Sequence, residues 1–391
     1  MATNDSKQKK DESLIDISSG TQRRRIYNKK GRIVRIVCVV LSVIFLISGS
    51  GMIYYYSLLN SLNYEPSDDD STKSTVESTV PDELMGDKTQ LSLTEGELLQ
   101  NSKVLNVMLF GEENMGGSKF GRSDTMIMMS IDNVHKKLKL TSFQRDTFVY
   151  IPGYGYYKLN ASYSFGGAKL AIKTIETNFG IKIDRYAVVD FDSFKKIIDT
   201  LGGIDMELTE DEITYINYQM YKNKQTDEWS LIKDSPGIVH LTGQQALWYA
   251  RNRGLDRNED GNEIGLDGDD WDRTSRQRKL IEKLFSDFKK ADLSQIISIV
   301  GSVGPLVTTN LKKDEITRLV SHALKYLQYE SVQYSIPSEG LWYYDDKTVL
   351  SDGTVTSTIK FSDLQKQRVV LAENIYEELF SSKSEKWLWK H

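Results

Sequence analysis

From Ile36 to Tyr56 the chain reads IVCVVLSVIFLISGSGMIYYY, without one charged side chain. A helix rises 1.5 Å per residue, so about 20 such residues cross a bilayer core of roughly 30 Å. The run therefore predicts a transmembrane helix over 36–56. A cleaved signal peptide is the competing reading. Against it stand the long basic segment ahead, a run longer than an ordinary signal core, and Tyr54, Tyr55 and Tyr56 where an interfacial aromatic belt belongs. Arg23, Arg24, Arg25, Lys29, Lys30, Arg32 and Arg35 precede the run, and no Lys or Arg follows it until Lys73. That asymmetry puts residues 1–35 in the cytoplasm as a basic tail and everything after Tyr56 outside the cell membrane, in a single-pass topology.

Residues 57–97 are acidic and rich in Ser and Thr, with no period that buries a face. They predict a flexible stalk. From residue 98 the pattern turns to mixed α/β. Strand-like runs at VLNVMLF (104–110), TMIMMSI (125–131), KLKLTSF (137–143) and RYAVVDF (185–191) alternate with helical periods over 168–179, 193–201, 242–252 and 272–290. Asp192 is the expected cap of the second helix, and Gly202 and Gly203 its stop. Beyond 290 come a helix over 312–327, a strand at SVQYSIP, an aromatic-rich loop at GLWYYDD and a last helix over 362–380. No linker separates this part, so 98–391 reads as one domain with a motif core at 103–290 and a continuation at 291–391. The expected fold is a single α/β/α sandwich, a mixed sheet covered by helices.

Composition narrows the chemistry. A formal charge of −5 argues against a nucleic-acid partner. Cys38 is the sole cysteine and lies in the apolar run, and the chain has only 4 histidines. Cysteine metal sites are excluded, and a Ser-His-Asp hydrolase is disfavoured. Phosphate or carboxylate chemistry run by Arg, Asp and Glu stays open.

That chemistry concentrates in four short stretches. FGRSDTMIMMSI sets Arg122 and Asp124 ahead of a strand, and FQRDTFVYIPGYGYYKLNASY sets Arg145, Asp146, Lys158 and Asn160 after one. QALWYARNR closes a helix with Arg251 and Arg253. In DWDRTSRQRK, a helix starting at Asp272 or Thr274 puts Arg273, Arg276, Gln277 and Leu280 on one face, continued by Leu284, with its polar end at the helix N-terminus. Each stretch alone also reads as a solvated helix end or a structural ion pair. Together they suit a diphosphate gripped by bidentate guanidinium contacts beside a divalent metal.

In order along most of 103–290, the segments VLNVMLFGEE, GRSDTMIMMSID, SFQRDTFVYIPGYGYYKLNASYSFGG, DFDSFKKIIDTLGGIDMEL, GIVHLTGQQALWYARNR and DWDRTSRQRKLIEKL resemble the LytR-CpsA-Psr family of cell-wall glycopolymer ligases. The resemblance implies transfer of a phosphoglycan from a polyprenyl pyrophosphate-linked glycan donor to a peptidoglycan hydroxyl at the outer face of the membrane lipid, with Mg2+. It also implies that Arg122, Asp124, Arg145, Arg251, Arg253, Arg273, Arg276 and Gln277 surround the diphosphate and metal. Lys158 is added as a pyrophosphate ligand and Asp270 as general base, although Asp270 reads equally as a helix N-terminal carboxylate.

Two departures from the family pattern matter. Glu113 stands where the family usually has Asp, so its reach toward a metal differs from that of Asp124. An insertion, DRNEDGNEIGLD (256–267), spaces Asp256, Asn258, Asp260, Gly261 and Asp267 like a Ca2+ loop, although position 12 is Asp and no clear helix pair flanks it, so a solvated acidic loop is the preferred reading and Ca2+ the alternative. Two other function classes stay open: a non-catalytic lipid-phosphate or glycan-binding envelope protein, and a membrane-bound transcription attenuator. The second would need an intracellular DNA-reading module, for which the tail is too short. Teichoic acid, capsule and other polysaccharide donors would present the same diphosphate.

Overall fold

The computed structural model describes residues 98–113, 120–224, 231–253, 270–290 and 293–377, isolated positions between 57 and 66, the pairs 92–93, 256–257 and 263–264, and residue 380. The expected membrane helix, basic tail and most of the stalk lie outside the described residues. Among those described, no helix is long and apolar enough to cross a membrane. The described residues fall in one compact unit.

A seven-stranded mixed sheet is its centre. In spatial order the strands are Asn63–Tyr64, β9 (Thr308–Thr309), β6 (Arg185–Asp190), β1 (Val104–Glu113), β2 (Arg122–Asp132), β3 (Lys137–Phe143) and β10 (Glu330–Ile336). β1, β3, β6 and β10 run one way, and β2 and β9 the other. The apolar runs are nearly continuous because both faces of the sheet are covered. On one face Val104, Met108 and Phe110 of β1, with Met126 and Met128 of β2, pack against α1 (Leu159–Phe179) and α6 (Leu364–Tyr376). On the other, Leu105, Val107, Ile131 and Leu138 pack against Tyr326 and Tyr329. A separate cluster joins α2 (Phe191–Thr200), α3 (Glu210–Lys222), α4 (Gly243–Arg251) and α5 (Asp270–Phe288) to the antiparallel pair β7 (Ile204–Leu208) and β8 (Gly237–Leu241). The mixed sheet with covering helices is the expected one.

Several boundaries differ from expectation for local reasons. α1 begins at Leu159 and is broken at Gly166 and Gly167, the latter at φ +65°, so the expected 168–179 helix is its second segment. α2 is capped by Asp190, not Asp192: Asp190 accepts from the Ser193 N–H, whereas Asp192 pairs with Lys195 at 2.7 Å. α5 starts at Asp270, ahead of both expected starts. The aromatic GLWYYDD segment is largely strand, β11 (Trp342–Val349), paired antiparallel with β12 (Val355–Phe361). Its Trp and Tyr side chains favour the pleated conformation more than the neighbouring Asp residues oppose it. A second hairpin, β4 (Phe148–Ile151) with β5 (Gly155–Lys158), follows β3.

Candidate active site

Most of the expected arginines meet at the carboxyl ends of β1, β3 and β6, where open α/β sheets place their ligand crevices. β2 runs against these strands and so brings its first residues to the same edge, Asp124 among them. After β3, the main chain turns at Gln144–Thr147, closed by the Thr147 hydroxyl donating to the Gln144 carbonyl at 2.7 Å. That turn aims Arg145 back at Asp124, Nη1 to Oδ1 at 2.9 Å. α4 is held by a capping box, Thr242 with Gln245. It lies so close to α2 that a Cβ on Gly243 would meet the Lys195 carbonyl oxygen at 2.1 Å. The end of α4 delivers Arg253, whose Nη2 lies 2.5 Å from Asp124 Oδ2, and Arg251, which donates to Glu113 at 2.8 Å. The Arg251 guanidinium sits 4.6 Å from the Phe191 ring centroid and 5.2 Å from that of Trp248, which fixes its plane. From α5, Arg273 donates to the Asp124 carbonyl at 3.1 Å and stands 3.6 Å from its carboxylate.

Asp124 is thus ringed by three guanidiniums. Burial, the largest influence on it, works against ionisation. Arg145, Arg273 and Arg253 outweigh it and hold the carboxyl below its ordinary value. Arg273 is only 1% exposed, so this guanidinium near the start of α5 is buried and not solvated. Arg276 turns the other way: its Nε donates to Glu212 of α3 at 3.0 Å and its Nη1 to the Asn252 carbonyl at 3.2 Å. It braces the segment that carries Arg251 and Arg253 and is not one of the groups around Asp124. Lys158 pairs with Asp146 at 2.9 Å, and Asp146 in turn faces Arg145 Nε at 3.4 Å, so Lys158 stands one carboxylate away from the cluster. Arg122 is exposed two residues before Asp124. Asp270 opens α5, and its side chain lies outside the described residues, as do the ligand side chains of the 256–267 loop.

Beside this polar group the structure shows what the sequence reading could not locate. A cavity of about 230 Å³ lies between the sheet and helices α2, α4 and α5. Leu109, Ala187, Phe194, Leu247, Leu280 and Leu284 give it an apolar wall, and Asp124, Arg251, Arg253, Arg273 and Gln277 stand at its polar part. Gln277 donates to the Ala250 carbonyl at 3.3 Å, and its buried Oε1 has no hydrogen-bond partner among the described residues. An amphiphile with an anionic head and an apolar tail matches this lining.

Asp124 and Glu113 supply hard oxygen donors at the paired ends of β2 and β1. That partial set suits Mg2+, which commonly takes one or two carboxylates and completes its shell with substrate phosphates and water. Among the described residues, the group whose donor atoms lie within 4.8 Å of one another is a different one, Asp132, His135 and Glu377, at the far end of β2. There the buried Lys139 ammonium already reaches Asp132 at 2.7 Å, Glu377 at 2.9 Å and the Ile375 carbonyl at 2.7 Å.

Comparison with known proteins agrees with this architecture. Bacillus subtilis (strain 168) TagV, a polyisoprenyl-teichoic acid–peptidoglycan teichoic acid transferase, is 32% identical over 219 residues, covering 54% of this chain and 51% of TagV. Bacillus licheniformis TagU, of the same description, is 31% identical over 273 residues, covering 68% of this chain and 79% of TagU. The crystal structure of B. subtilis TagT superposes with a TM-score of 0.51 over 73% of this chain and 94% of that one; at 21% identity it is a likeness of fold. The LytR_cpsA_psr family model matches residues 58–360, most of the sequence, and the chain belongs to that family.

Proposed function

We propose that this chain is a membrane-anchored phosphotransferase that moves a glycopolymer phosphate from a polyprenyl-diphosphate-linked donor to a peptidoglycan hydroxyl, working outside the cell membrane. The observation that carries the reading is the Asp124 carboxylate, ringed by Arg145, Arg253 and Arg273 at the polar part of an apolar cavity. The teichoic-acid class of donor is favoured by the activity named for TagU and TagV.

In this reading the prenyl tail enters the cavity and the diphosphate meets the guanidiniums. The acceptor oxygen forms a bond to the phosphorus that bears the glycan, the bond from that phosphorus to the bridging oxygen breaks, and polyprenyl phosphate leaves. Charge grows on the non-bridging and leaving oxygens, and rigid cationic donors stabilise it in a partly desolvated site. Arg273, buried and held by the Asp124 main chain, is already oriented for that work. Arg122, Arg251 and Lys158 add positive charge around the entering head group. A carboxyl held below its ordinary value is a weak base, so Asp124 orients arginines, and the hydroxyl proton is assigned to Asp270. Mg2+ held by Asp124 and Glu113 would supply further neutralisation of phosphate charge.

The test uses the full-length chain in detergent with Mg2+, a synthetic polyprenyl-diphosphate-linked disaccharide and peptidoglycan. The expected result is disaccharide phosphate bound to peptidoglycan, lost with a chelator and restored by added Mg2+. Donor binding without transfer would make the chain a lipid-phosphate binder. Protease added to intact protoplasts should digest the region after Tyr56 and spare the basic tail; protection of the C-terminal region would reverse the topology.

A further inference from the structure

The aromatic segment GLWYYDD has no part in the site so far described. Trp342 of β11 stacks on Trp271 of α5, with centroids 4.8 Å apart and planes 28° from parallel. Tyr344 meets Trp342 edge-on at 5.1 Å, and its hydroxyl accepts from Trp271 Nε1 at 3.2 Å. Tyr343 and Tyr344 are each 50% exposed. Side chains alternate along β11, so Trp342 and Tyr344 share the face that meets Trp271, whereas Tyr343 shares the other with Lys360, whose ammonium lies 5.1 Å from the Phe148 ring of the β4–β5 hairpin. The Ile359 N–H donates to the Asp146 carbonyl at 3.0 Å, tying the two hairpins together. A half-exposed tyrosine packed on two part-exposed tryptophans marks an interaction surface rather than a core.

Its position identifies the occupant. Along α5, Leu284, Leu280, Gln277 and Arg273 line the cavity, and Trp271 lies two residues further toward the helix N-terminus, about 3 Å along the axis. If the prenyl phosphate leaves toward the cavity, an in-line attack on phosphorus comes from the opposite side, the side of Trp271. Pyranose rings present flat C–H faces that stack on Trp and Tyr and hydroxyl edges that bond to phenol and carboxylate oxygens. The exposed Asp346 on β11 provides such a carboxylate, and its charge disfavours an anionic lipid surface as occupant. We propose that Trp271, Trp342 and Tyr344 form the platform that holds the acceptor glycan strand of peptidoglycan, an assignment that rests on the transferase reading above.

The test compares full-length wild type with Trp342→Ala and Tyr344→Ser, each checked for an unchanged thermal midpoint. Transfer kinetics are read against acceptor and donor separately, and binding of a peptide-free tetrasaccharide of alternating N-acetylglucosamine and N-acetylmuramic acid is read by calorimetry. Loss of a well-packed aromatic contact should raise the acceptor KM and the tetrasaccharide Kd by about tenfold, with the donor KM unchanged. An unchanged acceptor KM and Kd overturns the platform while transfer by wild type keeps the transferase reading. A rise in donor KM alone also overturns it and assigns the rings to the donor glycan. If wild type binds the tetrasaccharide and Trp342→Ala does not, yet no transfer occurs, the platform stands and the transferase reading falls. Should Trp342→Ala fail to fold, Tyr344→Ser, at a half-exposed side chain, carries the same comparison.

Discussion

Strand β2 ends in two charge clusters of opposite character. At Asp124, cations outnumber carboxylates, Arg253 and Arg122 are open to solvent, and an apolar cavity adjoins. At Asp132, two carboxylates face Lys139 and Lys137, Asp132 and Lys139 are fully buried, and the ammonium of Lys139 is enclosed. Both aspartates are held below their ordinary ionisation range against burial, Asp124 by arginines and Asp132 by Lys139 and His135. A lowered carboxyl therefore does not separate the two ends. What separates them is unspent positive charge beside a cavity: one cluster still has donors for an anion, while the other is balanced within itself.

The largest test of that contrast is Asp124→Ala, which frees three guanidiniums from their common anchor. Transfer should fall by about 10²–10³-fold, as when an oriented donor set is lost. Wild-type turnover in a folded Asp124→Ala protein would make the two ends equivalent. Lys139→Met probes the opposite end. It leaves the Asp132 carboxylate buried without its ammonium and should cost about 3–5 kcal/mol of stability in denaturant unfolding, with turnover per folded molecule unchanged. Lost turnover in folded Lys139→Met protein would mean that the closed cluster serves the chemistry. A smaller effect is expected from Ala250→Phe, which places a ring in the cavity: the donor KM should rise by about tenfold for a long prenyl chain and less for a short one. Equal change for both chain lengths would take the tail out of the cavity. Smallest is a pH effect at the closed end. Burial opposes ionisation of Glu377, but Lys139 and Lys137 bring its carboxyl down to about 2. Its stabilising contribution is then full above the unfolded value of about 4.5 and is lost as pH falls toward the folded one. The thermal-midpoint gap between wild type and Glu377→Gln should shrink from pH 7 to pH 3; a constant gap would remove the linkage.

Much of the open end was legible because its residues sit at punctuation points of the chain. Arg145 follows a strand, Arg251 and Arg253 end a capped helix, and Asp124 opens β2. Arg276 was less legible: three residues after Arg273 it shares a helical face by spacing, yet it lies near enough to α3 to be claimed by Glu212. The burial of Arg273 was hidden because a guanidinium next to three charged neighbours in sequence reads as solvated, whereas α5 packs it against β2. Cavity-lining residues such as Leu280 and Leu284 have the same apolar period as core residues, so periodicity cannot tell a wall from a filling. The strand character of Trp342–Val349 was masked by Gly340 ahead of it and Asp345 and Asp346 within it.

Arg273→Lys tests most directly whether the buried guanidinium grips the diphosphate. Lysine keeps the positive charge near Asp124 but loses the planar two-pronged donor. Donor turnover and the thermal midpoint are measured beside wild type at fixed Mg2+. Because Arg273 is buried, stability should fall by about 1–2 kcal/mol, while turnover per folded molecule should fall by about 10²-fold or more. Turnover equal to wild type, with only the midpoint lowered, would contradict a diphosphate site at Arg273 and leave Asp124 with its arginines as a second structural cluster on β2.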